Sequence, residues 1–553
     1  MRGSVAIVLL ALLLFTLTSA QGWGDSGMYA GSIVEAARTG EIAPLFEFGH
    51  LLWRPLGFVL FRGLSGLPLP FGPEATAYLA LVIPNLIAGI VCAVLFYRIA
   101  LLRSRAEWIS FVCAAFFFCS NAFLNWTQTG SSYSPGLACL TASFWILFQS
   151  VDSRVIEART IWISGGLLAL SALFWLPYVT VAPGFASLLL IPDYSAKNRY
   201  GLRERLQWAV LLTAITVGVL VAGYLTALLT HGFSTAGQVL TWVRESSHGL
   251  QPGGLIKFIF ALPRTFINMG QDNILFKRYL LHDPYAQVSL VELIGASLVR
   301  VALFYAFFGY VLLRAVMDQR SRRFIFILAG AAAPLLFFAL VVFESSATER
   351  YLPLFPFLIV LVALVLSAAR SGPARIVMTS LLVLAAVSNL WSLSWFANHA
   401  GEDRIAASLG ALPGDLPSGS VVWVPAIVDD RMAFTVRRPF HPLNQPHRFP
   451  FRQVVPIGDR LPLWRQDFGH FSLEAWNAGG SVWISNRLMA PRPERSWNWT
   501  EGDLPGLRWT QFPELFSAFS YSKQLPGPDG FSLLAVNPGN RSRLEKLAEG
   551  WSR

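Results

Sequence analysis

Long apolar blocks dominate the pattern of hydrophobic and polar positions along the chain. A block of roughly 20 apolar residues is the length that a helix needs to cross the hydrocarbon core of a bilayer. The pattern therefore predicts a polytopic α-helical membrane protein with about eleven transmembrane helices. The predicted spans are 4–20, 76–100, 106–124, 134–150, 160–176, 178–191, 207–230, 287–314, 324–343, 351–369 and 374–397.

Polar regions divide the chain into parts. Residues 21–75 and 231–286 form loops that are longer than connections between helices usually are. Beyond residue 400 no long apolar run remains, and short runs rich in β-branched and aromatic residues predict strands. We therefore predict a transmembrane domain over 1–399 and a soluble α/β domain over 400–553. The runs that predict strands are 420–428, 480–485 and 531–536.

The orientation in the membrane depends on the segment Trp175-Leu176-Pro177-Tyr178, which is either a break between two short spans or a kink in one span. Positive charge decides between them, because Lys and Arg concentrate in cytoplasmic loops. With eleven spans these residues fall in alternate loops, and both long loops and the C-terminal domain become extracytoplasmic. The protein is then a multi-pass protein of the plasma (inner) membrane. The charged residues of the cytoplasmic loops are Arg98, Arg103, Arg105, Arg154, Arg159, Lys197, Arg199, Arg203, Arg205, Arg314, Arg320, Arg322, Arg323, Arg370 and Arg375.

Composition supports the membrane assignment and excludes other classes. Of the 553 residues, 54% are hydrophobic and only 14% are charged, whereas soluble domains are about a quarter charged. The net charge of +11 lies mostly in short loops, so it indicates topology and no nucleic-acid partner. The four cysteines lie in or beside apolar blocks without metal-ligand spacing and are interpreted as small packing residues.

The first polar loop brings together several reactive side chains. Asp25 and Tyr29 are four residues apart, as are His50 and Arg54, so each pair shares a face wherever the chain is helical. By position alone, Asp25 is equally a helix cap or a solvated charge. The combination of acid, phenol, imidazole and guanidinium beside a bilayer nevertheless makes this loop the first candidate for a site.

The same loop resembles the first outer loop of GT-C glycosyltransferases, which use polyprenyl-phosphate sugars. Protein O-mannosyltransferases and aminoarabinose transferases of lipid A are examples. In that family an acid follows the first helix, often as Asp-Glu-x-x-Tyr, and a Thr-Gly or Ser-Gly step follows about ten residues later. Asp25, Tyr29 and Thr39-Gly40 match this pattern, whereas Ser26 replaces the usual Glu.

A second resemblance is the segment ATERYLPLFPFLIVLVAL at 347–364, which is similar to the Glu-Arg-Tyr-x-x-Pro segment of the same superfamily. Glu349, Arg350, Tyr351 and Pro353 carry it. One departure is the second outer loop, 125–134, which has no carboxylate where family members often have an acid. The resemblance is compatible with a divalent metal, but no ligand set is clear, and the sequence identifies no cofactor.

The chemistry implied by the resemblance needs only one acid. An acceptor hydroxyl must lose its proton as it attacks the anomeric carbon, and one carboxylate is enough as general base. The leaving phosphate needs positive charge, which arginine provides. We therefore predict Asp25 as the base. Arg54, Arg264 and Arg350 are the candidate phosphate ligands, although each is also explained as an anchor at the membrane interface.

The resemblance implies an integral-membrane glycosyltransferase that transfers a sugar from a polyprenyl-phosphate donor to a lipid, glycan or protein acceptor at the outer face. Tyr29, His50, Glu349 and Tyr351 join the arginines as predicted substrate-binding residues. Two alternatives remain open: a transporter or flippase for a lipid-linked substrate, favoured by the broken helix at Pro177, and an inactive membrane scaffold whose outer domain binds a partner.

Overall fold

The structure is a computed structural model of the chain. It describes residues 2–18, 20, 25–69, 73–153, 155–191, 200–246, 254–269, 278–279, 282, 287–342, 345–369, 372–398, 412, 416–417, 419–424, 451–453, 463–492, 508–527 and 530–551. The described residues form two compact units. The first comprises Met1–Asn268 and Arg300–Ala397, and the second comprises Met269–Val299 and Asn398–Arg553.

The first unit is helical. Its helices are α1 Arg2–Leu17, α2 Ser26–Thr39, α3 Trp53–Leu64, α4 Pro73–Ser104, α5 Glu107–Phe118, α6 Asn121–Trp126, α7 Tyr133–Ser153, α8 Ala158–Phe174, α9 Ala182–Leu190, α10 Leu202–His231, α11 Ala236–Ser246, α12 Leu255–Phe266, α13 Val299–Met317, α14 Gln319–Phe337, α15 Phe355–Ala368 and α16 Gly372–Asn398. Short 3₁₀ segments lie at Ala43–Leu45, Phe48–His50, Leu176–Val181 and Thr348–Leu354.

Each predicted span coincides with an apolar helix. Among the described residues, seven helices are long and apolar enough to cross a membrane, and four shorter apolar helices account for the other predicted spans. The shorter ones are Arg2–Leu17, Glu107–Phe118, Ala158–Phe174 and Leu176–Leu190. The chain is thus a polytopic helical membrane protein, and the break predicted near Pro177 is present, because α8 ends at Phe174 and the backbone of Trp175 is extended.

Helix α15 forms the centre of this core. Every residue from Phe355 to Leu366 is buried, as expected for a helix that is apolar on all its faces. By contrast, only 22% of the residues in the most apolar stretch of α10 are buried. Such helices expose rows of leucine and valine, which suits contact with lipid acyl chains. The segment Thr348–Leu354 leads directly into α15, so the fold places the Glu349-Arg350-Tyr351 motif at one end of its most buried helix.

The second unit contains a five-stranded mixed sheet in the order β2-β1-β3-β5-β4. Its core consists mainly of aromatic side chains around Trp423, Phe468 and Phe516. Three of its strands fall within the runs that the sequence predicted, although 425–428 lie outside the described residues. The elements are β1 Val421–Val424, β2 Phe451–Gln453, α17 Trp464–Asn477, β3 Val482–Ser485, α18 Gln511–Phe516, β4 Tyr521–Gln524, β5 Phe531–Leu534 and α19 Pro538–Ala548.

Candidate active site

Asp25 lies immediately before α2, and Tyr29 lies one turn into it. The Tyr29 hydroxyl donates a hydrogen bond to Asp25 Oδ2 over 3.3 Å, so the pair shares a face of the helix as its spacing predicts. The Asp25 side chain caps no backbone N–H of α2. The carboxylate is therefore held by a phenol and is not used as a helix cap.

Ser26, the residue that departs from the family pattern, is fully buried. Its Oγ accepts a hydrogen bond from the backbone N–H of Gly130 over 3.0 Å. A Cβ placed on Gly130 would lie 3.1 Å from the Cβ of Ser26, so the two backbones approach closely. A glutamate at position 26 would have to occupy this contact, which explains why a small hydroxyl residue is found there.

The segment 125–134, which joins α6 to α7, supports α2 with its backbone. Asn85 Nδ2 donates to the carbonyl oxygens of Thr129 and Ser131 over 2.8 and 2.7 Å, and Trp53 Nε1 donates to Gly130 O over 2.7 Å. The loop lacks a carboxylate, but buried donors fix its carbonyl groups. Among the described residues, no group of three or more His, Cys, Asp or Glu side chains is placed to hold a metal ion.

His50 is buried beside Tyr29. Its Nδ1 lies 2.5 Å from Ser132 Oγ and 3.2 Å from the carbonyl oxygen of Phe174. A carbonyl only accepts, so Nδ1 carries a proton in the contact with Phe174, and the neutral ring keeps its lone pair on Nε2. Burial lowers the pKa of His50, although the negative charges of Glu47 and Asp25 oppose this. The imidazole is therefore predominantly neutral at pH 7.

Arg54 forms an ion pair with Glu47, a residue that the sequence analysis did not single out. Both side chains are largely buried, with 11% and 6% exposed. The Arg54 guanidinium also lies 5.0 Å from the centre of the Tyr29 ring. Glu47 lies beside a 3₁₀ segment and Arg54 lies in α3, so no single helical spacing relates them. A donor phosphate at Arg54 would have to compete with Glu47.

Tyr29 stays protonated in this environment. Burial raises its pKa well above the ordinary value, and the charges of Asp25 and Glu47 raise it further, while Arg54 lowers it. A neutral phenol is a hydrogen-bond donor, which is the role seen towards Asp25. Tyr29 therefore orients the carboxylate and does not take part as an acid or base near neutral pH.

The second motif segment is buried as well. Only 7% of Glu349 and 6% of Arg350 are exposed, and both make further interactions within the protein. The Arg350 guanidinium lies 5.1 Å from the centre of the Trp175 ring. Tyr351 donates to the carbonyl oxygen of Ser345 over 2.7 Å. Burying a charge is costly, so arginine at this position indicates a requirement beyond packing.

Aromatic rings connect the two motif segments. Trp175 lies 4.9 Å from Tyr133, and Tyr133 lies 6.2 Å from His50, measured between ring centres. His50 in turn lies 5.8 Å from Tyr29. The extended backbone at Trp175, between α8 and the following 3₁₀ segment, places this ring in the row. The row brings together the regions of Asp25 and Arg350, which are far apart in sequence.

Arg264 belongs to α12, which packs on the second motif segment. The neighbouring Thr265 donates to the carbonyl oxygen of Thr348 over 2.9 Å. The backbone carbonyl of Arg264 accepts a hydrogen bond from Asn121 Nδ2 over 2.8 Å. The fold therefore places the helix of Arg264 against the segment that carries Arg350.

Comparison with known proteins finds similar proteins by structure alone. No protein-family profile and no curated protein sequence matches the chain. The structure of ArnT from Cupriavidus metallidurans bound to undecaprenyl phosphate matches 97% of this chain and 98% of its own, with a TM-score of 0.52 and 12% identity. The apo structure of ArnT matches 98% of each chain, with a TM-score of 0.50 and 12% identity. The resemblance to GT-C glycosyltransferases is thus confirmed at the level of the fold, which this chain shares with ArnT over nearly its full length.

Proposed function

We propose that the protein is a glycosyltransferase that transfers a sugar from a polyprenyl-phosphate carrier to an acceptor at the outer face of the membrane. The observation that carries the proposal is the site itself. The carboxylate of Asp25 is held by the neutral phenol of Tyr29, and a row of aromatic rings leads from Tyr29 to the buried Arg350. The shared fold adds support, because the ArnT structure contains undecaprenyl phosphate, a carrier of this class.

In the proposed reaction, Asp25 acts as general base. Its carboxylate takes the proton of the acceptor hydroxyl while the oxygen forms a bond to the anomeric carbon. The bond between that carbon and the phosphate oxygen breaks, and the polyprenyl phosphate leaves with the electron pair. Tyr29 positions Asp25 by its hydrogen bond. No proton donor is needed for the leaving group, because a phosphate is a stable anion near neutral pH.

Arginine stabilises the charge that develops on the leaving phosphate. Arg350 is the preferred ligand because it is a buried cation whose guanidinium is oriented by a cation–π contact with Trp175, the ring at one end of the aromatic row that leads to Tyr29. Arg264 is a second candidate because its helix, α12, packs on the segment that carries Arg350. Arg54 remains a candidate only if the phosphate replaces Glu47 as its partner.

The remaining details of topology belong to the same proposal. Eleven spans would place the loops 21–75 and 231–286, and the region 400–553, outside the cytoplasm of a plasma (inner) membrane protein. Contacts between the two loops support this, because Phe46 of the first accepts hydrogen bonds from His231 and Trp242 of the second. Loops that contact each other lie on the same side of the bilayer.

The decisive experiment is a transfer assay with labelled polyprenyl-phosphate hexose in membranes that contain wild type or Asp25→Asn. We expect the variant to lose transfer by about 10²-fold or more, since general-base catalysis contributes this much. Tyr29→Phe, which keeps the ring and removes the hydroxyl, should reduce the rate less. Full transfer by folded Asp25→Asn protein, at matched expression, would contradict the assignment of the base.

A further inference from the structure

A cavity of about 690 Å³ lies between the first outer loop and α11. Phe46, Glu47 and Arg54 line it on one side, and Phe233, Gln238 and Trp242 line it on the other. Its volume lies within the range of about 300–1,000 Å³ that is typical of small-molecule sites. The cavity shares Arg54 with the candidate active site, but Asp25 is not among its lining residues.

Aromatic rings of fixed orientation form one wall. The rings of His231 and Phe233 stack with 4.6 Å between centres and only 7° between planes, and Trp242 lies 5.9 Å from Phe233. His231 and Trp242 both bond the carbonyl oxygen of Phe46, over 3.0 and 2.9 Å. These hydrogen bonds hold the rings in place before any ligand binds. Flat ring faces of this kind pack well against the C–H face of a pyranose.

Polar groups line the rest of the cavity. Gln238 Oε1 accepts from the backbone N–H groups of Ser234 and Thr235 over 2.9 and 3.1 Å, which orients its side chain. Within the described part of the chain, no acceptor bonds the Gln238 amide N–H₂, so this donor is available to a ligand. Thr241 contributes a hydroxyl, and Glu47 contributes carboxylate oxygens. Donors and acceptors beside an aromatic face suit the hydroxyl groups of a sugar.

The charge of the lining indicates which saccharides fit. Among the described residues that line it, Arg54 and Glu47 are the formally charged ones, apart from the titratable His231, and they already pair with each other. A phosphorylated headgroup would need additional cations to balance its charge. An uncharged sugar needs no additional cations, and its hydroxyl groups can donate hydrogen bonds to the carboxylate oxygens of Glu47.

We propose that this cavity binds the acceptor and that the acceptor presents an uncharged saccharide unit there. The identification of this ligand as the acceptor rests on the proposed glycosyltransferase function, whereas the binding of a saccharide in the cavity does not. Phe233 and Trp242 contact the sugar ring, and Gln238 and Thr241 bond its hydroxyls. The shared residue Arg54 connects this site to Tyr29 and thereby to Asp25.

The test measures binding without any donor. Full-length protein in nanodiscs is studied by saturation-transfer NMR with cellobiose, maltose and chitobiose as neutral probes, and glucose 6-phosphate as a charged probe, at millimolar concentration. We expect transfer to the ring protons of at least one neutral disaccharide. Gln238→Ala and Phe233→Ala should each weaken that binding by roughly tenfold. Gln207→Ala is the matched control, because Gln207 is an exposed glutamine near the start of α10, whereas the cavity lies at the end of that helix, beside His231.

The outcomes separate this proposal from the proposed function. Asp25→Asn should bind the saccharide as wild type does, even if it transfers nothing. If no neutral probe binds, if the Gln238→Ala and Phe233→Ala variants bind as well as Gln207→Ala, or if only glucose 6-phosphate binds, the assignment of the cavity is overturned. Full transfer by the folded Asp25→Asn protein, with saccharide binding unchanged, would instead count against the catalytic assignment alone.

Discussion

At the scale of single residues, the site is distinguished by buried or half-buried charged groups that have partners within the protein. Asp25 is bonded by Tyr29, Arg54 pairs with Glu47, and Arg350 lies over Trp175. Each of these contacts reduces the cost of removing a charge from water. The candidate site is therefore held in place by contacts within the protein, and the proposed reaction would need little reorganisation of it.

The buried ion pair can be tested by a double-mutant cycle. Removing one member of a buried pair leaves an uncompensated charge, so Glu47→Ala should cost about 3–5 kcal/mol of stability. Glu47→Ala/Arg54→Ala should recover part of this, because no charge is left alone. Denaturation of the purified protein in detergent measures both. If the losses of stability of the single variants Glu47→Ala and Arg54→Ala simply add up to the loss of the double variant, the two side chains do not interact.

His50 should make stability depend on pH. Burial lowers its pKa from the ordinary value of 6.5, so below that pH the unfolded chain binds more protons than the folded one. Acid then favours unfolding, and the stabilisation present above about pH 6.5 is lost as the pH falls. We expect the melting temperature of wild type, relative to His50→Gln, to fall between about pH 7.5 and 5.5. Parallel curves would contradict this.

At the scale of elements, the ends of helices position the chemistry. Helix α2 starts after Asp25 and ends at Thr39, where Gly40 adopts the left-handed conformation with φ +80° and its N–H bonds the carbonyl oxygen of Ala36. This is the usual way in which glycine ends a helix. The Thr39-Gly40 step of the family pattern therefore has a structural role here: it ends α2 so that the chain can return towards His50.

Two glycines, Gly31 within α2 and Gly40 directly after it, offer a matched pair. Gly40→Ala would force a side chain into left-handed backbone and should cost about 1 kcal/mol. Gly31→Ala lies in the helix interior, where an added Cβ meets nothing within 4 Å, and should stabilise by up to about 1 kcal/mol. Thermal unfolding compares them. The same sign of change for both variants would contradict the role of Gly40 as the end of the helix.

At the scale of the whole molecule, the fold combines a buried central helix with outer helices that expose apolar side chains. Such surfaces are stable only in lipid, which makes the bilayer a structural partner of the chain. The described part of the chain also includes a separate mixed sheet, β2-β1-β3-β5-β4, with an aromatic core of its own. The proposed topology places this sheet outside the cytoplasm.

Labelling of introduced cysteines tests that topology. Ser522→Cys in β4 should react with a membrane-impermeant maleimide in intact cells, whereas Arg203→Cys at the start of α10 should react only after permeabilisation, because both positions are exposed to solvent. Of the native cysteines, Cys92, Cys113 and Cys119 are buried, and Cys139 is half-buried within the apolar helix α7, so wild type should give little background. The opposite pattern of labelling would reverse the assignment of the two faces.

Local patterns were sufficient to predict much of this protein. Apolar length identified the helices, because the thickness of the bilayer core is a property that any single segment must match. The four-residue spacing of Asp25 and Tyr29 identified their contact, because helical geometry brings such pairs together. Short runs rich in β-branched and aromatic residues located three strands of the sheet.

Only the tertiary structure decided the rest of the site. His50 and Ser132 meet across 82 positions in sequence, and Trp242 reaches Phe46 across 196. The ion pair of Arg54 with Glu47 depends on how a 3₁₀ segment turns into α3, which no periodic spacing encodes. Contacts of this kind follow from the packing of whole helices. The sequence by itself therefore determined which chemical groups the long loops carry, whereas the packing determined which of them meet, because that depends on all the helices at once.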